Sequence, residues 1–313
     1  MAYNVQLMIV MITYMVLLIG WGIYQGRKVK NSSDFAIAGR KLPGWVAALS
    51  ERATGESSWA LLGLPGAAYA TGLMEVWTAI GCVVGILFAW IFLAWRLRKE
   101  AEKYETDTFT EYIAKKHGEV GKWIRIVGSS TIVFFFFFYV GAQFLGGGKT
   151  LENLFGIDRV YGMLIVVLVV VPYTIYGGFR SVTYTDVIQA IVMIITLIVA
   201  PIAGIIYLSN QPEGSLFATS ISEALSKAGE SYSTMTGGAA LVEGSDLSNA
   251  LYALFPNSIN IIKGLGTGII IAGAFSWFFG YLGGMPQLTT RFMAVSNERE
   301  IRKARNIGVA WTI

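Results

Sequence analysis

Apolar stretches of near-constant length alternate with short charged ones along the 313 residues. A helix that crosses a bilayer needs about 20 apolar residues. Residues 5–24 meet that requirement without a charge, and no A-x-A cleavage pattern follows them, which predicts a retained helix rather than a signal peptide. Residues 75–95, 123–148, 160–177 and 182–208 read as the third to sixth spans, and 264–285 as the seventh. An eighth begins near Ala304 and stops at Ile313 inside an apolar run, as a truncated chain would. Between the sixth and seventh lies a polar stretch, 209–263, with a weakly helical segment predicted near 220–227.

The second span, 43–72, breaks the pattern. Both ends are apolar, but its middle reads SERATGESS, with Glu51, Arg52, Glu56, four hydroxyls and Gly55. Charges at membrane depth cost several kcal/mol each by order of magnitude, and persist where they meet a cavity or a partner. A hydrophobic helix with such an interruption is the expected form of a discontinuous transporter helix, its site near the midplane. The plainer reading is a surface loop between two short apolar segments. A continuous helix would pair Arg52 with Glu56 at i, i+4, a self-contained ion pair. A broken one would turn backbone carbonyls and the hydroxyls of Thr54, Ser57 and Ser58 toward a cation and a solute.

Composition agrees with a polytopic all-α membrane protein: 54% hydrophobic and 14% charged residues, with mean hydropathy +0.57. Soluble domains carry roughly a quarter charged residues. Charge also orients the chain. Of the 24 Lys and Arg, Arg52 lies within a span, and Lys149, Arg159, Lys227 and Lys263 fall on one side; every other falls on the opposite side. By the positive-inside rule the N-terminus is outside, and 209–263 is external. The expected location is the plasma or inner membrane.

Few motifs suggest other chemistry. GGGKT at 146–150 resembles the end of a phosphate-binding loop, but Gln143 stands where that motif needs glycine, and a membrane helix rather than a strand precedes it. The glycines read better as helix-packing positions. His117, the only histidine, sits in the charged run KKHGE, and Cys82 is the only cysteine. Neither a nucleophile–base pair nor a metal cluster points to an enzyme, and no nucleic-acid partner is expected. The run Phe134–Phe138 reads as lipid-facing or packing surface. Tyr139 and Gln143, one turn apart, share a face that can look inward. Asp186, in YTDVIQA, is either a cap-like acid near a helix start or an intramembrane cation ligand. Trp277 and Tyr281 flank a glycine break in FSWFFGYLGGMP and fit either ordinary packing or the wall of a small-solute pocket.

Taken together, SDFAIAGRKLPGW (33–45), SSWALLGLPGAAYATGLMEVW (57–77), AWRLR, YGGFRSV with TDVIQA (185–190), and WFFGYLGG with PQLTTRFMAV are similar to the sodium/solute symporter family, most of all its sodium/proline branch. The resemblance implies the leucine-transporter-type inverted-repeat fold: an extra N-terminal helix (1–30), a first five-helix repeat (43–208), an external loop (209–263) and the start of a second repeat (264–313). It implies a symporter that imports a small organic solute with sodium by alternating access, proline or another amino acid first. A sugar, a sialic acid or a carboxylate such as pantothenate is the alternative, and a non-transporting protein or truncated fragment of this fold is the rival. Carried over by position, sodium would meet the backbone carbonyls of Ala53 and Glu56, the Ser57 hydroxyl and Asp186. Solute would meet Ser57, Glu75, Gln143, Trp277 and Tyr281. Three features depart from the proline branch. Gly55 stands where an aspartate is usual, Glu51 and Arg52 replace small residues, and the Tyr281–Pro286 spacing is one residue longer.

Overall fold

The computed structural model describes residues 5–71, 75–210, 273 and 275–313. Among these every regular element is a helix; one isolated bridge pairs Leu42 with Val295. Four stretches are long and apolar enough to cross a membrane: Val5–Gly26, Val76–Lys103, Gly118–Phe155 and Arg159–Ser209. The described residues are those of an all-α membrane protein. The predicted loop 209–263 with its 220–227 helix, and most of the seventh span, lie outside the described residues.

In chain order the helices are α1 (Val5–Gly26), α2 (Ser32–Ile37), α3 (Gly44–Ser58), α4 (Leu64–Thr71), α5 (Val76–Phe88), α6 (Ala94–Lys103), α7 (Phe109–Lys116), α8 (Gly121–Phe155), α9 (Arg159–Ser209), α10 (Pro286–Ala294) and α11 (Glu298–Thr312). A single helical turn, Trp277–Phe279, precedes α10. The chain forms two compact units. One comprises Met1–Ser57, Ala89–Ile191 and Met285–Ile313, the other Ser58–Phe88 and Val192–Gly284.

The second span is interrupted, as its polar middle requires. α3 carries it to Ser58, a wide turn over Trp59–Gly63 follows, and α4 resumes the helix. The fifth and sixth spans, expected at 160–177 and 182–208, are two helical segments of one 51-residue stretch, parted by a kink at Gly178 (φ 54°, ψ −145°) rather than by a loop. Straight, it would measure about 77 Å, far beyond the roughly 45 Å of a bilayer with its headgroups. It is not straight. Gly22 of α1 accepts a hydrogen bond from Ser181 Oγ at 2.6 Å, while a Cβ placed on Gly22 would lie 2.8 Å from the Tyr173 side chain. A straight helix would hold residues 173 and 181 about 12 Å apart. Trp21 Nε1 also donates to the Tyr184 carbonyl at 3.0 Å. The chain therefore bends sharply at one residue, and α1 packs into the bend. Close approach requires small residues there: a Cβ on Gly177 would come within 2.5 Å of Gly26 Cα.

At the other end of the first unit, Leu42 and Val295 are fully buried. Arg98 of α6 donates to the carbonyls of Val295 and Ser296 at 2.8 and 2.7 Å. α11 starts earlier than the predicted Ala304, because Asn297 caps it by accepting the Glu300 N–H at 3.0 Å. Glu300 Oε2 in turn accepts the Gly44 N–H at 2.7 Å, fixing the start of α3. Lys303 and that N–H hold the Glu300 carboxyl below its ordinary range. In the second unit, α5 lies close to residues 275–278: a Cβ on Gly85 would meet the Phe278 carbonyl at 2.5 Å, and one on Gly81 the Phe275 carbonyl at 2.9 Å.

The bend at Gly178 is directly testable. Its φ is +54°, and a Cβ there would sit 2.6 Å from the Phe35 carbonyl. Gly178→Ala is expected to destabilise the protein by about 2–4 kcal/mol. Gly20→Ala is the control, since nothing lies within 4 Å of its Cβ position. Thermal unfolding in detergent reads the difference, and equal midpoints for the two variants would remove the bend from the account.

Candidate functional site

The interruption of α3 sits at Ser57. Ser57 has φ 46° and ψ −152°, so its peptide is turned by about 110° from the helical setting. A non-glycine residue in this region stores about 1–3 kcal/mol, strain that clusters where function holds a backbone in place. Gln143 of α8 donates its amide to Ser57 Oγ at 3.4 Å. Two predicted solute-binding residues thus meet at the break. Gly147 and Gly148 of α8 serve packing, as read from the sequence: a Cβ on Gly147 would lie 2.8 Å from the Val166 side chain, and one on Gly148 would strike the Arg159 carbonyl at 2.7 Å.

Asp186, predicted as a cation ligand, is in a charge-compensated cluster one to two turns before Ser57. Its Oδ2 accepts Ser50 Oγ at 2.6 Å, Thr54 Oγ1 at 3.2 Å and Arg291 Nη2 at 2.8 Å. Arg291 Nε donates to Ser50 Oγ at 2.7 Å, closing a ring of three side chains. Ser50 is fully buried, and Asp186 and Arg291 nearly so. Sequence reasoning placed Arg291 in a charged loop. Instead it lies on α10 between the buried Leu288 and Phe292, and that apolar flanking was the available signal: an acid inside an apolar span needs a cation equally buried.

The pairing of Arg52 also differs from the i, i+4 expectation. Arg52 closes on its neighbour Glu51, with Nε to Oε2 at 2.7 Å and Nη2 to Oε1 at 2.5 Å. Trp90 Nε1 donates to the same Oε2 at 3.0 Å, and the Trp90 ring meets Phe292 edge-on with centroids 4.6 Å apart. Bidentate pairing of this kind is the strong form of a charged hydrogen bond, and here both partners are almost wholly excluded from solvent. Glu56 is left to other partners. One of its oxygens, Oε2, is buried with no hydrogen-bond partner. The expected ion contact at this residue was its backbone carbonyl; the orphaned side-chain oxygen is a second acceptor suited to a hard cation. Ala53, the other predicted carbonyl, is buried on the last turns before the break.

Three more predicted residues fall in the second unit. Trp277 stacks on Trp59, centroids 4.5 Å apart and planes at 16°. Trp59 was missed by sequence reasoning, although it directly follows the polar stretch. Tyr281 is buried on a wide turn, Gly280–Gly284, that departs from helical torsions at Gly283. Glu75, just before α5, accepts Thr78 Oγ1 at 3.2 Å. His117 is exposed and bonded to the Ile113 carbonyl, as expected of a surface histidine. Phe134, Phe135, Phe137 and Phe138 are likewise exposed.

Comparison with known proteins places the chain among relatives. The chain is 34% identical over 299 residues to the high-affinity proline transporter PutP of Bacillus subtilis, covering 95% of the chain and 55% of that protein. It is 29% identical over 310 residues to the sodium/proline symporter of Staphylococcus aureus (strain JH9), covering 98% of the chain and 54% of that protein. The chain thus spans about half the length of the curated relatives it matches. The profile of the sodium:solute symporter family matches residues 35–313, and the chain belongs to that family.

Proposed function

We propose that this chain is part of a sodium-coupled secondary transporter, and not of an enzyme, that imports proline or a related amino acid by alternating access. The observation that carries the reading is the break at Ser57: a strained serine in a polar interruption of an apolar helix, bonded to Gln143. In such a break the turned peptide offers oxygen ligands, the helix ends offer partial charges, and the neighbouring side chains offer solute contacts. Sodium, as coupled cargo, suits the Ser57 hydroxyl, the carbonyls of Ala53 and Glu56, and the buried Glu56 Oε2, all hard oxygen donors. Asp186 supplies a nearby carboxylate. Ser57, Gln143, Glu75, Trp277 and Tyr281 are the residues proposed for the solute.

The same reading takes the fold as the inverted-repeat type, with α1 as the extra helix, residues 43–208 as the first repeat and 264–313 as the opening of the second. The N-terminus is outside and the basic segments are cytoplasmic, in the plasma or inner membrane. The names of the relatives favour proline. The departures at Glu51, Arg52 and Gly55 favour, as a second reading, another small solute of the same family's range, such as a sugar, a sialic acid or pantothenate.

Radiolabelled proline uptake by the whole protein in proteoliposomes tests this reading, with and without an inward sodium gradient. Gradient-dependent uptake is expected, reduced at least about tenfold in Asp186→Asn, whose lost charge leaves Arg291 buried without its partner. Uptake indifferent to sodium would refute the coupling.

Ser57→Gly separates strain from chemistry. Glycine adopts the observed torsions freely, so thermal stability should rise by roughly 1 kcal/mol, while uptake falls with loss of the hydroxyl. A variant that is no more stable, or that transports normally, would contradict the assignment of Ser57.

A further inference from the structure

Asp186 and Arg291 come from α9 and α10 and are only 7% and 4% exposed. The protein donors to Asp186 (Ser50, Thr54 and Arg291) all end on Oδ2, and none of those bonds reaches Oδ1. The guanidinium has further contacts besides the carboxylate. Its Nη1 donates to the Gln287 carbonyl one turn back at 2.6 Å, and it lies 5.5 Å from the centre of the Phe179 ring. Ser50 Oγ both accepts from Arg291 Nε and donates to Asp186, so this one hydroxyl links α3 to the ion pair.

Building on the sodium-coupled reading above, we propose that Arg291 is a built-in competitor for the transported cation at Asp186. A sodium ion that reaches the carboxylate on its Oδ1 side displaces the guanidinium from Oδ2, and α10 is thereby released from α3 and α9. The chemistry favours exchange over coexistence. One carboxylate compensates one cation, and two cations a few ångströms apart in a low-dielectric interior repel strongly. Losing Arg291 with nothing in its place would strand a buried charge, whereas exchanging one cation for another would not. A hard cation wants several oxygens. The Asp186 carboxylate, Thr54 Oγ1 and the Ser50 oxygen freed of Arg291 Nε supply them. The displaced guanidinium keeps the Gln287 carbonyl and the Phe179 face, both within the reach of its own helix and the bend at Gly178. The element biased by the ion is therefore α10, which directly follows the interrupted segment 277–284. Binding at Asp186 is converted into movement of that segment's anchor.

The test uses the whole protein in detergent and in proteoliposomes, with sodium chloride as the probe and choline chloride holding ionic strength constant. If Arg291 occupies the carboxylate nine-tenths of the time or more, Arg291→Gln should lower the sodium concentration for half-maximal thermal stabilisation by about tenfold or more. In the unmutated protein, saturating sodium should raise amide hydrogen exchange across residues 286–294. A folded Arg291→Gln variant with unchanged sodium half-saturation would overturn the proposal, as would exchange in 286–294 that sodium leaves unaltered. Should Arg291→Gln fail to fold, the exchange measurement on the unmutated protein decides alone. If uptake is sodium-driven while these readouts stay flat, the competitor role fails and the symporter reading stands. If sodium affects neither uptake nor stability, the symporter reading falls and this proposal with it.

Discussion

A carboxylate in the apolar interior of a membrane protein has few tolerable surroundings, and Asp186 has one of them: a guanidinium at 2.8 Å and two hydroxyls on the same oxygen. Much of the first unit follows from this compensation. It draws α10 against α3 and α9, because Arg291 must be buried to serve. It also fixes which face of α3 carries Ser50 and Thr54. The next residues along α3, Glu51 and Arg52, form a second compensated pair that points elsewhere, toward Trp90. Two acids and two bases are thus buried around one helix with no net charge among them. Breaking either pair by removing one partner would cost about 3–5 kcal/mol, far more than the intact pair contributes to stability. Such pairs specify geometry more than they stabilise it.

The backbone breaks at Ser57 and Gly178 have nearly the same torsions, φ 46° and ψ −152° against φ 54° and ψ −145°. Their residues differ for a physical reason. At Gly178 the Phe35 carbonyl occupies the place of a side chain, so only glycine fits and the bend is set without strain. At Ser57 a hydroxyl is present and bonded to Gln143, so strain is accepted where a side chain has work to do. The contrast between an unstrained bend and a strained one is the clearest local sign of which break is functional.

Much of this was legible in the sequence. Apolar run lengths marked the four stretches that are long and apolar enough to cross a membrane, and the polar interruption in 43–72 marked the broken helix, because three charges in an apolar span need a reason. The location of the break was less legible. The polar run 50–58 marked the interrupted stretch but not the residue that takes the non-helical torsions, Ser57, since helix propensity does not say which residue yields when tertiary contacts pull on a turn. Charge partners were the least legible. Spacing along one helix suggested Arg52 with Glu56, but the neighbour Glu51 captured it once Trp90 arrived from a distant segment. Arg291 was counted with solvent-facing bases because a single basic residue after an apolar run looks the same whether its helix leaves the membrane or folds back into the core. Sequence separation hid the rest: Ser50 and Arg291 are 241 residues apart.

The central claim is that Asp186 and Arg291 exist as each other's compensation. A double-mutant cycle on thermal stability, built from Asp186→Asn, Arg291→Gln and the two together, tests it most directly. The account predicts a coupling of about 1.5–3 kcal/mol, with the double variant more stable than either single one, because it leaves no stranded charge. Additive losses, with the double variant the least stable of the three, would contradict it.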